Sequence, residues 1–326
     1  MQRGIDDRPL LGIGLKVASV MFLMAMSSLV KAASETVPVG EIIFFRSLFA
    51  IPVILGWLAW RGELIEGLST KDPWGHLWRG LIGVAAMGCI FTGLSLLPLP
   101  EVTALSYAAP VLVTVFAALF LGERIRAWRI SAVLIGFAGV LVMLSPRLGL
   151  FGDAAASGTS GDGLAPETIG ALVMLLAAVL MALAMVMVRQ LVRHEATGAI
   201  ACYFSLTCTL AGLATLPFGW VMPTIEVAAM LILAGLLGGA GQILLTESFR
   251  HADAAVIAPF EYSSMVFALA IGWFVFAEAP PTATYPGAAL VIAAGLIILW
   301  REQRVKKAPP APTSSAGAAA VRGSAG

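Results

Sequence analysis

The sequence predicts an all-α polytopic membrane protein with ten transmembrane helices in two inverted five-helix repeats. Three observations predict this. Of 326 residues, 59% are hydrophobic and 12% are charged, whereas a soluble domain carries roughly a quarter charged residues. The mean hydropathy is +0.93, so the chain could not cover its own surface in water. The apolar residues also fall into stretches of bilayer length, and the basic residues alternate from break to break.

A hydrocarbon core roughly 30 Å thick needs about 20 apolar residues per helix. That ruler places spans at 10–30, 41–60, 78–97, 101–121, 128–145, 168–188, 198–217, 227–249, 254–277 and 283–300. The breaks hold turn residues and charges, as in Lys71-Asp72-Pro73, Pro98 to Pro100, Arg124 to Arg129 and Ala279-Pro280-Pro281. The apolar stretch from Leu11 to Val30 has the length of a span rather than of a signal-peptide core. The expected organisation is a first repeat at 1–145, a flexible external linker at 146–167, a second repeat at 168–300 and a disordered cytoplasmic tail at 301–326.

Cytoplasmic loops retain Lys and Arg. With the N-terminus inside, 16 of the 20 basic residues fall on inner segments, among them Arg61, Lys71 and Arg79; Lys31 and Arg147 fall outside, and Lys16 and Arg46 lie within spans. This split places both termini in the cytoplasm, and the expected location is the cell inner membrane. The near-zero net charge gives no reason to expect a nucleic-acid partner; the lipid bilayer is the expected surrounding.

The halves match at a shift of 155 residues, which carries Tyr107 onto Tyr262 and Glu123 onto Glu278, with apolar stretches of equal length between. Five spans per half is an odd number, so the second half enters the membrane from the opposite side. Inverted repeats are a recurring architecture of secondary transporters, whose halves exchange conformations to open one face and then the other.

Several of these features together resemble the drug/metabolite transporter superfamily, in particular its EamA-type members. They are the late spans ending in Phe120-Leu-Gly-Glu123 and Phe276-Ala-Glu278, the following Gly136-Phe-Ala-Gly139, the early Arg in Glu41-Ile-Ile-Phe-Phe-Arg46-Ser, and Leu105-Ser-Tyr-Ala-Ala-Pro110. The likeness covers residues 10–300. Ser28-Leu-Val-Lys31 is similar to a branch that contains riboflavin and S-adenosylmethionine carriers. The second half departs from the first at the position of Arg46, where Phe204 precedes the shared Ser-Leu pair, so an asymmetric site is expected.

An ionisable group inside a span costs a few kcal/mol on insertion scales and needs a reason to be there. Arg46 is either a fixed cation for an anionic group of a substrate or an interface arginine paired with Glu41. Glu261, beside Tyr262 and after Pro259, is a protonatable carboxylate coupled to transport, a partner for a cationic group of a substrate, or half of an ion pair with Arg250 or Lys16. Tyr107 and Tyr262 suit a pocket wall, or pack with each hydroxyl on a carbonyl. Gln242 is a further candidate for substrate binding, and Thr246 and Glu247 follow it at helical spacing. Lys31 reads as an interface anchor, and Glu123 and Glu278 as helix ends. Cys89, Cys202 and Cys208 have no metal spacing, the three histidines fall in loops, and no phosphate-binding glycine loop occurs, so no cofactor, metal or catalytic group is expected.

The reading is a secondary transporter of a small organic metabolite working by alternating access, not an enzyme. Candidate substrates are riboflavin, S-adenosylmethionine and amino acids, with protons as a candidate coupling ion. The alternatives are a membrane scaffold or sensor, or an intramembrane enzyme, which would need a nucleophile, metal cluster or paired carboxylates at membrane depth. A reporter fused after residue 307 should read as cytoplasmic and one at Gly158 as external; the opposite pattern overturns the topology.

Overall fold

The computed structural model describes residues 8–121, 127–148, 165–191, 194–251 and 258–307. Every regular element among them is helical, as expected where no water is present to satisfy backbone groups. The first half comprises α1 (Pro9–Ala33), α2 (Val39–Trp60), the short α3 (Leu64–Leu68), α4 (Pro73–Leu96), α5 (Leu99–Ser106), α6 (Ala108–Leu121) and α7 (Ala127–Leu148). The second comprises α8 (Pro166–Leu191), α9 (Thr197–Leu213), α10 (Ile225–His251), a 3-10 turn at Ala258–Tyr262 that leads into α11 (Ser263–Phe276), and α12 (Thr284–Lys307). Helices α1, α2, α4, α8 and α10 are each long and apolar enough to cross a bilayer, and the other five spans contain shorter apolar helices. The protein is thus all-helical, with ten spans in two inverted repeats of five.

The ends of the elements follow from local chemistry. Proline at the first helical position costs no hydrogen bond, and α1, α4 and α8 all begin with one. At α4 the Asp72 carboxylate also accepts the Gly75 N–H at 2.9 Å, which caps the helix. Helix α4 therefore starts at residue 73 rather than at 78, and Arg79, expected in an inner loop, lies six residues inside the helix. His76, also expected in a loop, falls in the first turn of α4.

The fourth span is not one helix. It breaks at Tyr107, between α5 and α6. Pro110 cannot donate to the Ser106 carbonyl one turn back, and its ring crowds that carbonyl. The Ser106 hydroxyl bonds to the Thr103 carbonyl at 2.7 Å. The ninth span changes from a 3-10 turn to α-helix at the equivalent place, immediately after Tyr262, and there Ser263 bonds to the Phe260 carbonyl at 2.7 Å. The two breaks share the 155-residue shift.

Packing repeats the same symmetry. Helix α1 lies against α10, and its counterpart α8 against α4. Helix α2 packs on α10 and α9 on α4, while α2 pairs with α9 and α7 with α12. Exchanging the halves maps each contact onto another in this set or onto itself. Small residues allow these approaches: a Cβ on Gly212 of α9 would stand 2.7 Å from the Phe44 backbone nitrogen of α2, and one on Gly235 of α10 would stand 2.9 Å from the Arg46 carbonyl oxygen.

The face where α1 begins is termed the near face, and the opposite one the far face. At the near face Glu195, between α8 and α9, accepts the N–H groups of Lys71 at 2.7 Å and Asp72 at 3.0 Å. Its other oxygen is 3.4 Å from His76 Nε2. Burial pushes the Glu195 carboxyl up, but the donors from Lys71, His76 and Asp72 outweigh it and hold the group below the ordinary carboxylate value. Arg61 joins the end of α2 to Glu247 of α10 at 2.8 Å. Glu123 and most of the expected linker at 146–167 lie outside the described residues. The tail was expected to begin at 301, but α12 continues through Lys307, and 308–326 lie outside the described residues.

Candidate functional site

Among the described residues, two clusters of polar groups inside the bundle touch α1. The first joins Lys16, Glu261, Tyr262, Tyr107 and Ser264. Lys16 is 4% exposed, and its ammonium pairs with the Glu261 carboxylate. Arg250, the other partner considered for Glu261, has a side chain outside the described set. The Tyr107 and Tyr262 rings meet edge to face with centroids 5.1 Å apart, a favoured aromatic geometry. The Tyr107 hydroxyl lies 2.5 Å from Ser264 Oγ and 3.4 Å from the Tyr262 carbonyl oxygen. The Tyr262 hydroxyl fills the space that a side chain at Gly295 of α12 would take. The two breaks in spans four and nine therefore place both tyrosines at one meeting point of the halves.

The second cluster surrounds Arg46, which is 5% exposed on α2. Glu41 does not pair with it; that carboxylate accepts the Val221 N–H at 3.1 Å instead. The Arg46 Nε donates to Met26 Sδ of α1 at 3.5 Å, a weak acceptor. Its guanidinium lies against Gly238 of α10, where a Cβ would stand 3.2 Å from Nε and 3.3 Å from Nη2. Gln242 is one turn further along α10 on the Gly238 side, and it is exposed. Met26 and Lys16 are ten residues apart on α1, roughly 15 Å by helical rise. Glu261, Tyr262 and Tyr107 are thus brought together, while Arg46 stands apart from them.

Arg79 and the far-face ion pair are absent from the sequence-based candidates. The Arg79 guanidinium stacks over Phe204 with Cζ 3.8 Å from the ring centroid. Asp72-Pro73 was the available signal, since an N-cap residue followed by proline marks a helix start and puts Arg79 inside the span. At the far face Lys31 is not a simple interface anchor. It donates to the carbonyls of Leu94 at 3.0 Å and Leu97 at 2.7 Å, and it pairs with Glu278 at 2.9 Å. Glu278 also accepts the Leu99 N–H at 3.1 Å. This clasp joins spans one, three and four of the first half to span nine of the second. Ala277 aims Glu278 into it with φ of 53°, while the Glu278 N–H bonds to the Gly272 carbonyl at 2.8 Å. That conformation costs a non-glycine residue roughly 1–2 kcal/mol.

The arrangement provides buried charge and close helix crossings. Among the described residues, no group of three or more His, Cys, Asp or Glu side chains could hold a metal. The Lys16–Glu261 pair is lopsided, because the lysine side chain is 5% exposed and the glutamate side chain 49%. Breaking a buried pair costs about 3–5 kcal/mol because one charge stays buried alone. Glu261→Gln should therefore lower the Tm of the purified protein by several degrees more than Lys16→Gln does. Equal losses, or the reverse order, contradict this description of the pair.

Residues 10–145 and 168–300 each match the model of the EamA-like transporter family. The chain is 32% identical over 284 residues to the pseudopaline exporter CntI of Pseudomonas aeruginosa, covering 87% of this chain and 94% of that protein. It is 27% identical to the S-adenosylmethionine uptake transporter of Rickettsia bellii, covering 90% and 95%. It is 30% identical to the riboflavin transporter of Rhizobium johnstonii, covering 81% of each. A solved structure with 23% identity superposes at a TM-score of 0.61 over 90% of this chain and 98% of its own, a likeness of fold. With both repeats matched, the chain belongs to the EamA-like transporter family, within the drug/metabolite transporter superfamily.

Proposed function

We propose that this protein is a secondary carrier of a small organic metabolite, working by alternating access between its two five-helix halves. The observation that carries the proposal is the exchange symmetry of the helix contacts around a bundle interior that holds ionisable groups. Two halves that pack in equivalent ways can swap conformations and open opposite faces in turn. Opening the far face would separate span one from span nine and break the Lys31–Glu278 clasp; opening the near face would part Arg61 from Glu247.

In this reading the repeats are residues 1–145 and 168–300, joined by an external linker at 146–167. The protein sits in an inner membrane with both termini cytoplasmic, following the distribution of basic residues. Arg46, Tyr107, Glu261, Tyr262 and Gln242 form the substrate path. Glu261 is the residue to exchange a proton, since its half-exposed carboxylate can trade Lys16 for a proton when the halves move. The relatives point to metabolites as cargo: they are named for pseudopaline, S-adenosylmethionine and riboflavin, and they include both an exporter and uptake transporters. Riboflavin, S-adenosylmethionine and amino acids are the candidates for this chain.

Counterflow in proteoliposomes, with labelled riboflavin, S-adenosylmethionine and amino acids, tests the proposal. One compound should accumulate, and Arg46→Ala or Glu261→Gln should cut the rate at least tenfold while membrane insertion stays intact. Accumulation that neither substitution changes contradicts the assigned path. No accumulation of any of them, from folded and correctly inserted protein, contradicts this substrate set.

A further inference from the structure

Buried cations normally face a carboxylate. Lys16 faces Glu261, Lys31 faces Glu278, and Arg61 faces Glu247 and Glu63. Arg46 and Arg79 have no carboxylate partner among the described residues. Arg46 has only the Met26 thioether. The Nε and Nη1 atoms of Arg79 are buried without a hydrogen-bond partner. Helix α2, which carries Arg46, packs on α9, which carries the Phe204 that lies under Arg79. Two unpaired guanidiniums in a lipid-embedded interior are costly to hold together.

Their placement follows the repeat. Gly238 and Gly83 are related by the 155-residue shift that relates the tyrosines. Gly238 makes room for Arg46, and Gly83 makes room for Phe204, the residue matching Arg46 in the second half. A Cβ at Gly83 would stand 2.6 Å from Phe204 Cε2 and 3.3 Å from Arg79 Nη1. Neighbouring glycines repeat the relation, Gly235 against Phe49 and Gly80 against Thr207. The second half has no arginine at that position, but Arg79 lies on the phenylalanine that stands there. The positive charge is thereby restored close to where symmetry would put it. Stacking on an aromatic face holds a guanidinium while leaving its planar edge of donors free.

We propose that Arg46 and Arg79 together form an oxyanion site, and that the transported compound presents a carboxylate or phosphate group to it. Such a group accepts paired N–H donors from each guanidinium and offsets the charge that the protein leaves unbalanced. The inference rests on the carrier reading above and narrows it to anionic or zwitterionic metabolites. A neutral compound would leave both guanidiniums unpaired.

The test is binding to the purified full-length protein in detergent, read as thermal stabilisation at constant ionic strength. The probes are inorganic phosphate and two matched pairs: flavin mononucleotide with riboflavin, and methionine with its methyl ester. The member of at least one pair that carries the phosphate or carboxylate, or inorganic phosphate, should stabilise the protein saturably. Arg46→Gln or Arg79→Gln should raise the half-saturating concentration at least tenfold, and Arg79→Lys should raise it less. Phe204→Leu, which removes the stacking surface but no charge, should also weaken binding, and it serves if an arginine variant fails to melt cooperatively. Preference for phosphate and flavin mononucleotide assigns a phosphate; preference for methionine over its ester assigns a carboxylate. Three results overturn the site: members lacking the carboxylate or phosphate that bind as well as the partners that carry it, half-saturation unchanged in the glutamine variants, or no stabilisation by any of the probes that carry an oxyanion group. The assay reads binding alone. Anion binding through both arginines without counterflow contradicts the carrier reading, whereas counterflow indifferent to Arg79→Gln contradicts only this site.

Discussion

The structure depends on the close crossing of helices from opposite halves at glycines. Apolar side chains gain little by leaving lipid for one another, so spans associate where small residues let backbones touch. Gly212 seats α9 against the backbone of α2 at Phe44, while Gly235 and Gly239 seat α10 against the carbonyls of Arg46 and Ala50. These contacts set the depth and direction of the Arg46 side chain. Gly83 and Gly80 do the same for α4 against Phe204 and Thr207, and so for the guanidinium stacked on Phe204. The charged interior is therefore a product of backbone packing. A methyl group at any of these glycines must displace a neighbour, at a cost typical of an overpacked interior, about 1–3 kcal/mol.

Much of this fold was legible in the sequence because lipid imposes simple rules. Bilayer thickness fixes span length, and the Tyr and Glu anchors disclosed the repeat. Less legible were features set by tertiary contact. The breaks at Tyr107 and Tyr262 lie within apolar stretches and leave no trace in hydropathy, although Pro110 and Pro259 mark them. Arg79 was expected on an inner segment because the third span was begun at residue 78, whereas Asp72 and Pro73 start the helix earlier. The partner of Lys31 could not be read at all, since Glu278 lies 247 positions away and the two meet only when the halves assemble. For Arg46, sequence spacing suggested Glu41 as a partner, but Glu41 is used by the Val221 N–H.

The two halves share a plan but not a chemistry. The tyrosines at the breaks and the glycines at the crossings repeat, whereas Arg46 is replaced by Phe204 and the carboxylate at 261 has Ser106 as its first-half counterpart one residue before Tyr107. A carrier needs equivalent packing for its halves to exchange shapes, yet its cargo has no such symmetry. The Lys31–Glu278 clasp has the character of a closure rather than of a binding site. Its charges are satisfied entirely by protein, at one face, and they bridge the halves. Ala277 occupies a left-handed conformation there, while the matching residue of the first half is Gly122.

The central claim is that the halves move against each other and that this clasp holds one of the resulting states. Spin labels at Glu35 and Thr282, exposed positions at the far face, would report the separation of α1 and α12 by pulsed electron–electron resonance. The protein would be reconstituted in liposomes after replacement of Cys89, Cys202 and Cys208. The account expects two distance populations, with Glu278→Gln enlarging the longer one. A single distribution, unchanged by Glu278→Gln, would contradict it.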